Sequence, residues 1–289
     1  MKRVLQILLF SFFLYSLQGQ AVELVPLPGE NGEKAALICD SFPSQMHTFV
    51  WRNWSVVSVD KLAQEQGLKR IAKIQAGLTW EFSVIPYLPV MDLVAEHAHN
   101  LSGVDVDGVM MSWSLGCYPS PNLKIFQEMK GKSQSVDDVL NAMADSLYGL
   151  KGRSLARQAW TAFSDGFREY PFHISLLYNG PQHMGPANPL YLEATGYSAT
   201  MVGFPYDDLK RWRSIYPFEV WVKQMEKVRH GFEQGCVLYE KLVDAVDADI
   251  QAQARRELAT YRAAALHFES MINQAQFIDA RDKLAAPVN

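Results

Sequence analysis

From about Asp249 to Leu284, Ile250, Ala254, Leu258, Tyr261, Ala265, Phe268 and Ile272 recur along one helical face. An apolar stripe of that period and length demands a packing partner, either the rest of the chain or another helix. The character of the chain is helical from about Ser135 onward. Ser135-Val-Asp-Asp138 resembles a capping box with Asp in place of Glu, ahead of Val139, Leu140, Met143 and Leu147. Further helices are predicted over about Ser154–Phe167 and Pro217–Val246. Between them, Tyr178 to Tyr206 is dense in Gly, Pro, Asn and aromatics, and long loops of that composition often carry function.

The first half alternates differently. Ala35–Cys39 and Phe49–Val59 read as strands, Asp60–Gln66 as a helix stopped by Gly67, and Leu68–Gln75 as the next strand. Leu88, Met91, Val94, Ala95, Ala98 and Leu101 then fall at helical spacing, Gly103 ends that helix, and Gly108–Leu115 (GVMMSWSL) reads as a strand buried on both faces. Repeated strand–helix–strand units predict parallel strands with right-handed crossovers. The expected fold class is therefore α/β: a partial (β/α) TIM-barrel-like parallel sheet followed by a mainly α-helical C-terminal region. A closed barrel needs about 200 residues or more, so the three or four strands make part of one. The expected organisation is a signal peptide over 1–21, the partial barrel over 22–130, and a helical region with aromatic-rich loops over 131–289.

Composition narrows the function classes. With 48% apolar residues in 289, a sizeable core can form. The net charge is −4 and no basic block occurs, which argues against nucleic acid and anionic membrane surfaces as partners. Lys2 and Arg3 precede an apolar run, Val4–Leu17, and Gly19 and Ala21 offer a cleavage point before Val22. The run is short for a membrane span, which needs about 20 residues, and no Cys follows it to carry a lipid. Cleavage would leave 25 basic against 31 acidic residues and place the chain in a secreted or periplasmic setting. Cys39, Cys117 and Cys236 are an odd, widely spaced set without zinc spacing; buried free thiols are expected, and one bridge of unassigned pairing stays open.

In a (β/α) scaffold, reactive residues gather at the C-terminal ends of strands. Two places meet that rule: Gly77-Leu-Thr-Trp80-Glu81, and Ser112-Trp113-Ser114 running on to Gly116, Tyr118 and Asn122. Trp80 and Trp113 offer apolar walls on which a sugar ring can stack, and Glu81 is the one carboxylate at a strand end. The runs AKIQAGLTWEFSVIPYLPVMDLV and GVDVDGVMMSWSLGCYPSPNL resemble the last barrel strands of a group of bacterial TIM-barrel glycoside-hydrolase-like proteins. The segment GPANPLYLEATGYSATMVGFPYDDLKRWRSIYP is similar to the helical region that follows the barrel there. The resemblance spans about Leu68–Gly235. It implies a carbohydrate substrate, Glu81 as acid/base or sugar-binding carboxylate, and Trp113 at a sugar subsite. Glycoside hydrolysis ordinarily uses two carboxyl groups, and the residues before Leu68 are too few to supply the missing strands. The chain is then a shortened relative, a fragment, or one that pairs with another chain.

Tyr206-Asp207-Asp208 is a second acidic site, able to meet sugar hydroxyls or a cation, or to begin a helix as a cap. Asp105 and Asp107 read as turn residues. His97 and His99, two apart on a helix, point to different faces and do not chelate. His173 and His183 lie near the aromatic loops and read either as ligand contacts or as structural histidines. Ser112 and Ser114 lack a nucleophile elbow, and phosphate-loop, dinucleotide and zinc-protease motifs are absent. No cofactor and no metal is expected. Two functions follow: a secreted glycoside-hydrolase-like protein acting on extracellular carbohydrate, or a non-catalytic carbohydrate-binding or interaction protein on a remnant scaffold.

Overall fold

The computed structural model describes residues 25–26, 34–35, 71–74, 76–79, 81–103, 107–111, 119–129, 133–184, 188, 190–199 and 203–285. Val25–Pro26 (β1) pairs antiparallel with Lys34–Ala35 (β2). Ile71–Ile74 (β3) pairs parallel with Gly108–Met111 (β4), Ile71 opposite Gly108, and Met91–Leu101 (α1) lies between them in sequence. Every other regular element described is helical. Pro121–Glu128 (α2) leads to Val136–Arg168 (α3), and Ile174–Asn179 (α4) precedes a turn of 3₁₀ helix at Pro181–His183. Leu209–Arg213 (α5), Phe218–Ala245 (α6) and Ala248–Ala285 (α7) complete the chain.

This is a mainly helical protein, and the expected α/β class with a TIM-barrel-like parallel sheet does not hold. Of the run Gly108–Leu115, the described residues Gly108–Met111 are a strand, and two four-residue strands do not form a layer for helices to cover. The misreading has a physical origin: short apolar runs are buried equally well as strands or as loops pressed onto helices, and periodicity does not separate the two. The expected strands within 36–39 and 49–59, the helix at 60–66, the leader at 1–21, Cys39 and Cys117 lie outside the described residues.

The C-terminal helices form where their patterning placed them. Ser135 accepts a hydrogen bond from Asp138 N (3.0 Å) and so caps α3. The two helices expected at Val139–Leu147 and Ser154–Phe167 are halves of α3, which bends at Gly149 (φ 65°, ψ 177°). That backbone geometry suits Gly alone. α3 and α6 approach so closely that a Cβ on Gly231 would sit 2.4 Å from Gly166 Cα. The glycine pair lets the two backbones nearly touch.

One apolar cluster runs from Leu78 to Ile278, on both sides of residue 130. Phe163 of α3 meets Phe232 of α6 at 5.3 Å and Tyr261 of α7 at 5.2 Å between ring centres. Phe82, from the loop after β3, stacks on Phe268 at 4.2 Å. That loop is an integral part of the helical core. The stripe on α7 finds its partner inside the chain: Ala254, Leu258, Tyr261, Ala265, Phe268 and Ile272 are all buried. No described helix is long and apolar enough to cross a membrane.

A candidate binding face on a braced tyrosine hairpin

Of the residues nominated from the sequence, the described ones are Glu81, Asn122, Tyr206 and Asp207, and Glu81, Asn122 and Asp207 are buried. Glu81 is 0% exposed, enclosed beside Tyr170, whose hydroxyl is pushed well up by burial and then by the charges of Glu81 and Tyr216. A carboxyl in that position cannot meet a polymeric substrate without opening the core. Asn122 is also fully buried, and its amide donates to Ala76 O (2.8 Å) and Leu88 O (2.9 Å). It fastens both ends of the loop carrying Phe82, a structural clamp. Trp80, Trp113 and Tyr118 lie outside the described residues.

The acidic pair behaves unequally. Asp208 caps α5, accepting from Arg211 N at 3.1 Å. Asp207 turns inward to an ion pair with Arg281 of α7 (2.7 Å), the two side chains 3% and 4% exposed. Burial pushes the Asp207 carboxyl up, but Thr195 N–H (2.9 Å), Arg281 and the Thr195 hydroxyl (2.9 Å) outweigh it and hold it below the usual range. His97 is buried with its pKa lowered to about 4. His183 lies flat against Phe204 (4.6 Å, 9°) while its Nε2–H donates to Leu177 O. His97 is a core histidine, and His183 is half-buried. Cys236 is a buried free thiol, raised to about 11 by burial. Among the described residues no group of side chains could hold a metal.

What Asp207 anchors is more informative than what it binds. Residues 197–199 and 203–206 pair antiparallel as the two arms of a hairpin: Tyr206 N donates to Tyr197 O and Ala199 N to Phe204 O, both at 2.8 Å. α5 braces it from one side, with Arg211 donating to Gly203 O (3.0 Å) and Asn179 Oδ1 (2.9 Å), and buried Trp212 donating Nε1–H to Pro205 O (2.8 Å). α7 braces it from the other, through Arg281 and through Gln274, which accepts from Asn188 at 3.0 Å. This frame presents Tyr197, 65% exposed, and Tyr191, 51% exposed, beside half-buried Tyr206. The Tyr197 and Tyr206 rings are 6.4 Å apart at 67°. The Tyr206 hydroxyl is raised by its desolvation and then by Tyr191 and Asp207.

Tyr197 and Tyr206 sit on backbone paired across the hairpin, and Tyr191 precedes it in the chain. Of the expected sugar-binding residues, Tyr206 lies on this face and Asp207 lies beneath it. Sequence reasoning missed Tyr191, Tyr197 and the brace itself. The aromatic density of Tyr178–Tyr206 was the available signal for the first two, and nothing local pointed to Arg281.

A separate open hollow of about 700 Å³ lies over the Gly166–Gly231 seam and contains none of the nominated residues. Its cations are already paired, Arg157 with Asp92 (2.7 Å) and Asp137 (2.9 Å), Lys227 with Glu169 (2.7 Å). That leaves little unspent charge to select a ligand.

Compared with protein-family models, curated proteins and solved structures, the chain matches none. No relative therefore ties it to glycoside hydrolases, and the tyrosine face has to be read on its own geometry.

Proposed function

We propose that this chain binds carbohydrate on the tyrosine face and does not cleave glycosidic bonds through Glu81. The observation that carries the reading is the exposed ring of Tyr197, on a hairpin braced by Asp207, Arg211 and Arg281, with exposed Tyr191 nearby in the same loop segment. A sugar ring offers an apolar C–H face and a rim of hydroxyls. Rigid tyrosines match both, with ring faces for stacking and phenol groups for the rim. Because the frame is already ordered, binding loses little conformational entropy there. A contact with a protein partner is the second reading, favoured by Leu192, which stands 84% exposed next to Tyr191.

A glycan array probed with the purified chain tests the sugar reading. A set of related glycans should bind, and Tyr197→Ala and Tyr191→Ala should each weaken binding by roughly ten-fold, as expected for anchoring aromatics. Glu81→Gln should leave affinity unchanged in the folded fraction. An array that stays silent, or binding indifferent to both tyrosines, removes the sugar and leaves the protein contact.

A further inference from the structure

Ser214 stands at the end of α5 with φ 55° and ψ −125°. Tyr216 N donates to Arg213 O at 3.1 Å, so residues 213–216 form a tight turn with Ser214 at its first central position. Those angles belong to a type II′ turn, where Gly is the expected residue. A side chain here is held against its own preference, a condition that concentrates at functional sites. Tyr216 fixes the turn by donating its hydroxyl to Phe172 O, and Arg213 donates to Tyr216 O at 2.6 Å.

The strained hydroxyl meets a histidine. Ser214 Oγ lies 2.8 Å from His173 Nδ1. The same nitrogen accepts a hydrogen bond from Ser175 N at 3.1 Å, since His173 caps α4. An atom that accepts a backbone N–H carries no proton, so the tautomer is settled and the Ser214 hydroxyl must be the donor. That distance is within a general base's reach of a serine nucleophile, and taking the proton gives up the bond from Ser175 N, because Nδ1 has a single lone pair. Burial lowers the His173 pKa, which keeps the ring neutral and able to take a proton near pH 7. Both side chains are half-buried, and the neighbouring Ile215 is 66% exposed.

We propose that Ser214 and His173 form a nucleophile–base pair that hydrolyses carboxylic esters. Ser214 Oγ bonds to the acyl carbon while its proton passes to His173 Nδ1, and the carbonyl oxygen takes the negative charge. Collapse breaks the ester C–O bond, and the departing alcohol takes the proton from Nδ1, leaving an acyl-serine. Water then attacks the acyl carbon, giving a proton to Nδ1. That proton returns to Ser214 Oγ as the carboxylic acid leaves. Ester and water become acid and alcohol, with no other reactant. This activity does not depend on whether the tyrosine face binds sugar.

The test treats the full chain with a fluorophosphonate probe, maps the labelled residue by mass spectrometry, and measures p-nitrophenyl acetate hydrolysis. Ser214 should carry the label. Ser214→Gly keeps the turn, because Gly accepts the positive φ, and should lose both label and turnover. His173→Asn can still accept from Ser175 N through its side-chain oxygen, and should lower turnover at least a hundred-fold. Absence of label on Ser214 in the folded wild type, or hydrolysis surviving in Ser214→Gly, overturns the proposal.

Discussion

Asp207 shows how far a residue's neighbours in sequence can mislead about its task. Followed by Asp208 and preceded by Tyr206, it reads as half of an exposed acidic pair; 74 positions away, Arg281 draws it into a buried salt bridge. Removing one partner of such a pair leaves the other charge buried and uncompensated. Asp207→Asn should lower stability by about 3 kcal/mol, read from urea unfolding, and should loosen the tyrosine hairpin with it. Replacing both partners, as Asp207→Asn with Arg281→Met, should recover most of that loss, because the stranded guanidinium is gone. A double variant no more stable than the single one would show that the pair is not what holds this corner. Ser214 teaches the same lesson. Nothing in Arg-Ser-Ile-Tyr signals a positive φ, which the packing of α4 against α5 and the following turn impose. Glu81 and Asn122, read as site residues, are core residues because the loop that carries them is folded into the helices.

At the scale of elements, legibility followed period. Helices α6 and α7 lie within a residue or two of their expected ends, since long amphipathic stripes identify themselves and Ser135 caps where it should. The short apolar runs before residue 116 are described only in part, and there Ile71–Ile74 and Gly108–Met111 are strands without building the expected barrel-like sheet. How helices meet was not written in either pattern. The α3–α6 crossing depends on Gly166 and Gly231, each without a side chain where the backbones touch. Gly231→Ala places a methyl into backbone that has no flexible side chain to yield, and should cost about 3 kcal/mol, the upper end for overpacking. Thermal melting checks this, and an unchanged melting temperature would mean that the helices part easily. Neither glycine stood out in the sequence, because a helix-weakening residue explains itself only when the second helix is in view.

Over the whole molecule, the helical core encloses groups that prefer water when charged. His97 and His267 both have pKa values lowered by burial from 6.5 to about 4, His267 while donating to Gln182 O at 3.3 Å. His183 is lowered as well, for the same reason. Each is neutral in the folded state and protonates near 6.5 when unfolded, so between those values the unfolded chain binds more protons. Stability should therefore be fully present above about pH 6.5 and fall steadily toward pH 4. Urea midpoints across that range should reveal it, with His267→Gln flattening part of the slope; a midpoint constant from pH 6.5 to 4.5 would contradict the burial of these rings. Asp207, whose pKa is depressed, adds its own loss only at lower pH, as the medium falls through the carboxylate range.

The sequence by itself determined the long helices of the second half, the Ser135 cap, the buried face of the last helix, and where aromatics are dense. Those are local or periodic properties, set by side chains a few positions apart. Tertiary structure alone decided that the first-half loop belongs to the helical core, that Asp207 pairs with Arg281, and that Ser214 reaches His173. Each of these joins residues tens to hundreds of positions apart. Burial and charge pairing act through space, and periodicity along a chain carries no record of which distant surface will arrive.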